Sequence, residues 1–264
     1  MGDTLRAIAT SVAKRLEERK KIVSEEALRV QVFHARKPHS VIEAFEKSGM
    51  HAIAEIKFRS PAVGNLQVSG EALAVKIAGE YLNAGATVLS VLTEQDYFQG
   101  QPAYLKAIRA EYPQALLLMK DFVLEEYQLL EARILGADLV LLIVALLGAE
   151  KCKRLLKVAQ DLGLSVLVEV HDEEELQTAL GMNAKMIGVN NRSLKTLEVS
   201  IENSFRMAAL LVPGRIFISE SGISSGEELR KLLASGYKGF LIGSALMTST
   251  DPGQRLTSLL KAAK

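Results

Sequence analysis

Short apolar runs and amphipathic segments alternate along most of the chain. Eight runs rich in Val, Ile and Leu begin at residues 51, 87, 116, 139, 165, 186, 215 and 239, at intervals of 21 to 36 residues. Each interval accommodates one strand, one helix and two turns, and continuous apolar runs are typical of strands buried on both faces. The pattern predicts an α/β fold, a single (β/α)8 TIM barrel. An open, doubly wound sheet is the alternative, although no GxGxxG sequence follows any run.

Five amphipathic segments between the runs end at glycine. These are Gly85, Gly136, Gly163, Gly181 and Gly236. Glycine adopts the left-handed conformation that often ends a helix, so each is predicted to stop a helix and turn the chain back.

The first fifty residues lie outside this repeat. Their pattern predicts two or three helices near 3–22, 24–34 and 39–48, with a break at Lys37-Pro38. We therefore expect one domain over residues 1–264, made of an N-terminal helical extension (1–50) and a barrel (51–264). The extension could cap the bottom of the barrel or lean over its active face.

Composition and charge narrow the function classes. The chain has 264 residues, with 32 Lys+Arg against 31 Asp+Glu and a net charge of +1. This balance gives no electrostatic footprint for nucleic acid or an anionic membrane, so neither is an expected partner. The most apolar stretch, 139–147, is too short to cross a bilayer and predicts a buried strand running into its loop. A single cysteine and no export signal predict a cytoplasmic protein.

Polar residues at the ends of the apolar runs are the candidates for chemistry, because barrel active sites lie at the carboxyl ends of the strands. Acids, bases and hydrogen-bonding groups converge there. They are Glu55, Lys57, Lys120, Glu169, Asn190 and Arg192. Glu169 lies between Val168 and Val170, and we expect this apolar setting to raise its pKa.

Phosphate binding is predicted for the last two strand ends, which carry Ser221-Gly222 and Gly243-Ser244. Glycine lets backbone N–H groups approach an anion, and the loops after strands seven and eight of such barrels commonly bind phosphate. The pattern therefore predicts a small phosphorylated substrate.

Other polar residues are interpreted as structural. Asp121 points away from Lys120 by strand alternation, and for it and for Glu220 a structural bond is the favoured interpretation. Cys152 lies near a helix start and is interpreted as a bystander thiol. The four histidines, His34, His39, His51 and His171, show no metal-ligand spacing and no triad arrangement, and are interpreted as ordinary surface or packing residues.

The strand-end strings as a set resemble the indole-3-glycerol-phosphate synthase family. The resemblance runs from about residue 50 to 247 and touches all eight strands in order. The strings are AEIKFRSPAVG, SVLTEQDYFQG, MKDFVLEEYQLLEAR, GADLVLLIVALL, LVEVHDEEEL, IGVNNRSLKTLEVS, ISESGIS and IGSALM.

The resemblance implies a barrel with an N-terminal helical extension and a reaction without metal or organic cofactor. It implies that 1-(2-carboxyphenylamino)-1-deoxyribulose 5-phosphate cyclises, with loss of carbon dioxide and water, to indole-3-glycerol phosphate in tryptophan biosynthesis. It is also compatible with association with other enzymes of that pathway, as a monomer or weak homodimer.

Residue roles are implied by the same resemblance. Lys120 is the general acid at the ketone oxygen, Glu169 handles the proton during dehydration, and Glu55 assists as a base or holds the anilino nitrogen. Lys57 binds substrate and can supply a proton, Asn190 bonds near the reacting hydroxyl, and Arg192 suits a carboxylate. The residues that bind the phosphate and the ribulose hydroxyls are Ser60, Ser221, Gly222, Gly243 and Ser244. The apolar wall for the anthranilate ring is formed by Phe98, Phe122, Leu141 and Leu194.

The chain departs from the family pattern at three positions. Phe58 and Ala62 replace more polar residues in the first loop, and Ser193 follows the sixth-strand arginine in place of Asp or Asn. We expect the loop 58–68 that should close over the substrate to bind it more weakly.

Two other functions compete with this hypothesis. The preceding isomerase of the pathway, phosphoribosylanthranilate isomerase, would want a cysteine at the end of the first strand, where this chain has Glu55-Ile56-Lys57. A non-catalytic phosphosugar-binding barrel has no need for acid and base side by side.

Overall fold

Eight parallel strands close into a barrel, and helices surround it. The computed structural model describes residues 2–194 and 196–263. The barrel strands are β1 (His51–Ile56), β4 (Val88–Leu92), β5 (Leu117–Lys120), β6 (Leu139–Ile143), β7 (Ser165–Val170), β8 (Met186–Asn190), β9 (Ile216–Glu220) and β10 (Gly239–Ile242). Each pairs with its chain neighbours, and β1 closes the barrel by pairing with β10. The predicted (β/α)8 architecture is confirmed.

Helices follow the barrel strands on the outside. They are α4 (Glu71–Asn83), α5 (Pro102–Glu111), α6 (Glu126–Leu135), α7 (Val144–Asp161), α8 (Glu173–Gly181), α9 (Glu202–Ala208), α10 (Gly226–Ala234), α11 (Ser244–Met247) and α12 (Pro252–Ala262). A short hairpin of β2 (Arg59–Ser60) and β3 (Gly64–Asn65) interrupts the first connection. Within the described residues, no helix is long and apolar enough to cross a membrane.

Two local predictions are wrong. Gly181 is the last residue of α8, and the left-handed turn falls at Asn183, with φ of 62°. Asparagine tolerates this conformation better than most residues other than glycine. Its Oδ1 atom accepts a hydrogen bond from Arg215. Residues 144–147 form the first turn of α7 instead of a loop, and the helix is kinked at Gly148.

Strand alternation divides the apolar core into two layers. Inside the barrel, residues two apart pack against one another; examples are Ile216 and Ile218 on β9, and Leu139 and Leu141 on β6. The intervening side chains pack outward against the helices. The same alternation continues to the strand ends, where it decides which polar side chains enter the barrel mouth.

The N-terminal helices are α1 (Asp3–Ile22), α2 (Glu25–His34) and α3 (Val41–Glu46), close to the predicted bounds. Helix α1 crosses the open face, where Leu5 and Ile8 reach the mouth. Helix α3 closes the opposite end, because Val41 and Phe45 pack into the barrel interior. The sequence allowed the extension to cap the bottom of the barrel or to lean over its active face, and the extension does both.

Candidate active site

The carboxyl ends of the barrel strands surround a cavity of about 470 Å³. All fifteen site residues that the sequence predicts line this cavity, although they lie on five barrel strands and in the segments that follow six of the barrel strands. The further lining residues include Thr4, Leu5 and Ile8 of α1, Val63 of the hairpin, Glu220 of β9 and Leu92, Ile143 and Leu241 at the floor.

Glu55 and Lys57 form a buried ion pair on one side of the mouth. Lys57 Nζ lies 2.6 Å from Glu55 Oε1, and both side chains are at most one-tenth exposed. They continue the inward alternation of β1, in which Ile53 faces the barrel interior. Space for the carboxylate comes from Gly243, where an added Cβ would lie 2.2 Å from Glu55 Oε1.

Lys120 lies between two carboxylates on the other side of the mouth. Its Nζ is 3.1 Å from Glu169 Oε2 and 2.9 Å from Glu220 Oε2. Burial favours loss of the proton, but Glu169, Glu220 and the more distant Glu55 together raise the pKa of Lys120. The side chain is therefore an ammonium group at neutral pH.

The expected pKa shift of Glu169 is wrong in direction. Burial does raise its pKa, as the apolar neighbours suggested, but Lys120 and His171 outweigh that effect and lower it. Glu220 instead has the raised pKa, about 7, because burial and the nearby Glu169 outweigh its one contact with Lys120. Near neutrality, therefore, Glu169 is ionised and Glu220 carries a proton in part of the molecules.

Glu220 makes its bond inside the mouth, to Lys120, and not to the barrel wall. It is 1 % exposed and faces Lys120 within the mouth. Its position two residues after the inward-facing Ile218 is the sequence signal that could have identified it. Gly188 on β8 makes room for it, because a Cβ there would lie 1.9 Å from Glu220 Oε1.

His171 contacts the Glu169 carboxylate. Its Nε2 atom lies 3.3 Å from Glu169 Oε1, on the side away from Lys120. Asp121, by contrast, accepts hydrogen bonds from the Thr93 hydroxyl and the Phe122 backbone N–H, which agrees with a structural bond. The spacing of His171 from the other histidines does not indicate this contact. The signal in the sequence is Glu169, an acid two residues before His171.

The connections after β9 and β10, for which phosphate binding is predicted, line one side of the cavity. Ser221 and Gly222 both adopt positive φ, 68° and 80°, so their backbone turns sharply beside the cavity. A left-handed serine is unfavourable, and such strain clusters at ligand sites. Gly243 and Ser244 line the same region, and Ser60 lies across the cavity, where its hydroxyl accepts a hydrogen bond from the Ala62 N–H.

An apolar wall occupies the remaining side. The rings of Phe98 and Phe122 lie 6.0 Å apart with an interplanar angle of 34°, and Leu141 and Leu194 complete the surface. Phe58 faces the core, packed edge-on against Tyr104 at 5.5 Å. The apolar replacement at this loop position therefore anchors the hairpin from behind.

Arg192 and Asn190 are tied to each other at the end of β8. Asn190 Oδ1 accepts a hydrogen bond from the Arg192 backbone N–H at 3.0 Å, and Arg192 Nη1 donates to the Leu197 carbonyl at 2.8 Å. Both side chains face the cavity. In residues 2–194 and 196–263, no group of three or more His, Cys, Asp and Glu side chains is placed to hold a metal ion.

The fold and the site are those of a (β/α)8 barrel with acids and bases paired at the carboxyl ends of its strands, an arrangement suited to acid–base catalysis. A family model described as indole-3-glycerol phosphate synthase matches residues 5–259. The chain belongs to the indole-3-glycerol phosphate synthase family, decarboxylating lyases of tryptophan biosynthesis.

Relatives and solved structures agree with this placement. An indole-3-glycerol phosphate synthase of Carboxydothermus hydrogenoformans is 44% identical over 237 residues, which cover 87% of this chain and 88% of the relative. One of Bacteroides thetaiotaomicron is 40% identical over 264 residues, 99% of each. The structure of 3-hexulose-6-phosphate synthase from Salmonella typhimurium, 16% identical, matches with a TM-score of 0.65 over 80% of this chain and 99% of that one. At that identity the likeness concerns the fold alone.

Proposed function

We propose that this chain converts 1-(2-carboxyphenylamino)-1-deoxyribulose 5-phosphate to indole-3-glycerol phosphate. The observation that carries the proposal is the placement of Lys120 between Glu169 and Glu220, facing the Lys57–Glu55 pair across one cavity. Two acid–base pairs suit a reaction in which two carbon–oxygen bonds are activated and protons are both supplied and removed.

Substrate binding divides among the three sides of the cavity. The phosphate lies against the backbone of Ser221-Gly222 and Gly243-Ser244, and Ser60 holds a ribulose hydroxyl or the phosphate. The anthranilate ring lies on the apolar wall of Phe98, Phe122, Leu141 and Leu194, so that burial of the aromatic ring favours binding. Its carboxylate faces Arg192, whose planar fork matches two oxygens.

Ring closure begins with carbon–carbon bond formation. The ring carbon that bears the carboxylate attacks the ketone carbon, and Lys120 donates a proton to the ketone oxygen, which becomes a hydroxyl. The carboxylate then leaves as carbon dioxide, and its bonding electrons restore the aromatic ring. The raised pKa of Lys120 keeps it protonated for this step.

Dehydration completes the indole. Lys57 supplies a proton as the new hydroxyl leaves as water, with Asn190 bonded nearby, and Glu169 accepts the proton that is released as the ring double bond forms. Glu55 holds the anilino nitrogen or assists as a base. Glu220, with a pKa of about 7, is placed to return a proton to Lys120 across their 2.9 Å contact.

The proposal is tested by mixing the purified protein with the carboxyphenylamino-deoxyribulose phosphate and recording indole fluorescence. The chain contains no tryptophan, so the protein background is low. We expect fluorescence to rise with wild-type protein and not with Lys120→Ala. Absence of product at high concentrations of folded wild-type protein would overturn the proposal and favour a non-catalytic phosphosugar-binding barrel.

The proposal also places the chain in the cytoplasm, where it acts on a small phosphorylated molecule, as a monomer or weak homodimer able to associate with other tryptophan-pathway enzymes. Membership of a biosynthetic family supports this. Light scattering across a range of concentrations tests the oligomeric state.

A further inference from the structure

His171 follows β7 directly, and its ring lies between two carboxylates. Its Nε2 atom is 3.3 Å from Glu169 Oε1, and its Nδ1 atom is 3.1 Å from Glu175 Oε2. The His171 side chain is only 11% exposed. Glu169, His171 and Glu175 therefore form a row that runs from the cavity wall outward to helix α8.

Several hydrogen bonds fix this row. Glu175 Oε2 also accepts the backbone N–H of His171 at 2.8 Å, and Asp172 caps α8 by accepting the Glu175 N–H at 2.9 Å. Asn203 of α9 donates to the His171 carbonyl at 3.1 Å. Glu175 of α8 thus holds the ring through Nδ1, and Asn203 of α9 holds the backbone of the same residue.

Each oxygen of Glu169 faces a basic side chain. Its Oε2 atom lies 3.1 Å from Lys120 Nζ, and its Oε1 atom faces His171. Glu220 also contacts Lys120 but has no contact with the imidazole ring among the described ion pairs. The charged groups around the row are Lys120 on β5, Glu220 on β9, the Glu55–Lys57 pair of β1 and Glu175 on α8.

We propose that His171 is a positioning residue for the reaction: Glu175 holds it as a cation, and it fixes the Glu169 carboxylate opposite Lys120 in the ionised form. The proposal rests on the proposed function, in which Glu169 accepts a proton. Burial lowers the pKa of His171, but contacts with Glu169 and Glu175 raise it to about 10. The carboxyl nearest the imidazole is thereby the base, and Glu220 is the carboxyl that keeps a proton.

The first test is the pH profile of kcat in His171→Gln. A base works only when ionised, so kcat falls as the pH drops through the pKa of Glu169. Glutamine keeps an N–H donor near the position of Nε2 but carries no charge, so the pKa of Glu169 rises in the variant. We expect the acid limb to move up by about one pH unit or more, a loss of about tenfold on that limb that recovers at higher pH.

Two matched variants on α8 separate this effect from general disturbance. Glu175→Gln removes the carboxylate that holds His171, and we expect a smaller shift of the limb in the same direction. Glu174→Gln changes the neighbouring exposed glutamate and should leave the profile unchanged. An unmoved profile in both His171→Gln and Glu175→Gln, or an equal loss at every pH, would overturn the proposal.

A second measurement needs no catalysis. In nitrogen-15 NMR of the imidazole groups, with the His171 signal assigned by its loss in His171→Gln, we expect His171 to remain protonated at pH 8. In Glu175→Gln it should titrate at lower pH. A neutral His171 at pH 7 in wild-type protein would overturn the inference even if the enzyme is active, so this outcome is distinct from failure of the proposed function.

Discussion

Lys120 owes its charge state to its neighbours. A lysine buried alone loses its proton readily, but three carboxylates around this one raise its pKa above the usual value. The same neighbours differ from one another: Glu169 contacts a second cation and Glu220 does not. Contacts of about 3 Å therefore give Lys120, Glu169 and Glu220 the different protonation states that the proposed mechanism uses.

Removal of the acid or the base tests these roles. We expect Lys120→Ala and Glu169→Gln each to lower kcat by on the order of 10²-fold or more, the range for lost acid–base catalysis. Circular dichroism should show that the fold persists. Wild-type kcat in either folded variant would contradict the assigned role.

At the scale of single residues, the sequence indicated which acids and bases lie at the mouth but not which of them contact one another. Alternation within strands predicts that Glu55 and Lys57 face the mouth, and the structure places them there. The direction of the pKa shift of Glu169 depends on Lys120, 49 residues away, and on His171. The two valines beside Glu169 in the sequence therefore could not predict this direction.

Strand β8 shows how an element creates space for chemistry. Gly188 faces the barrel interior between Met186 and Asn190, and Glu220 of the paired strand β9 occupies the volume that a side chain would fill. A glycine inside a strand has an entropic cost. Gly188 offsets this cost by leaving space for the Glu220 carboxylate beside Lys120.

Gly188→Ala tests this role of the strand. The added methyl group must displace the Glu220 carboxylate from Lys120, so we expect kcat to fall by about tenfold or more with a modest loss of stability. The control is Gly181→Ala at the end of α8, where a Cβ meets nothing within 4 Å. It should leave kcat unchanged and stabilise the helix by up to about 1 kcal/mol. Equal kinetics of the two variants would contradict the explanation.

The whole molecule has its chemistry at one end and its structural charge network at the other. Asp138, fully buried just before β6, accepts hydrogen bonds from Arg36 Nη1 and the His39 N–H, both at 2.8 Å, and from the Leu117 N–H at 2.9 Å. Arg109 pairs with its second oxygen. One carboxylate therefore joins the N-terminal extension to the floor of the barrel.

Asp138→Asn should separate stability from activity. Two cations would lose a buried partner, and we expect the free energy of unfolding to fall by about 3–5 kcal/mol in urea titrations. The kcat of the remaining folded protein should stay near the wild-type value, because the network lies at the end opposite the cavity. Asp161→Asn, in an exposed ion pair with Lys157, should cost about 0.5 kcal/mol or less. A similar small loss in both variants would contradict the role of Asp138.

The distribution of charge is visible only in the whole folded molecule. The total of +1 does not show how charge is distributed. In the mouth, Lys57, Lys120 and Arg192 are balanced by Glu55, Glu169 and Glu220 of the same cavity.

By itself the sequence determined the eight strands, their order, the outer helices and most of the polar residues at the mouth, because these follow from local periodicity and from the common direction of parallel strands. Only the tertiary structure decided which charges meet. Closure of the barrel brings the ends of β5, β7 and β9 together, so that Lys120 contacts both Glu169 and Glu220. It also places α1 across the mouth and His171 behind Glu169. These contacts join residues that are distant in the chain or related by side-chain direction, and the free energy of a buried charge depends on such neighbours.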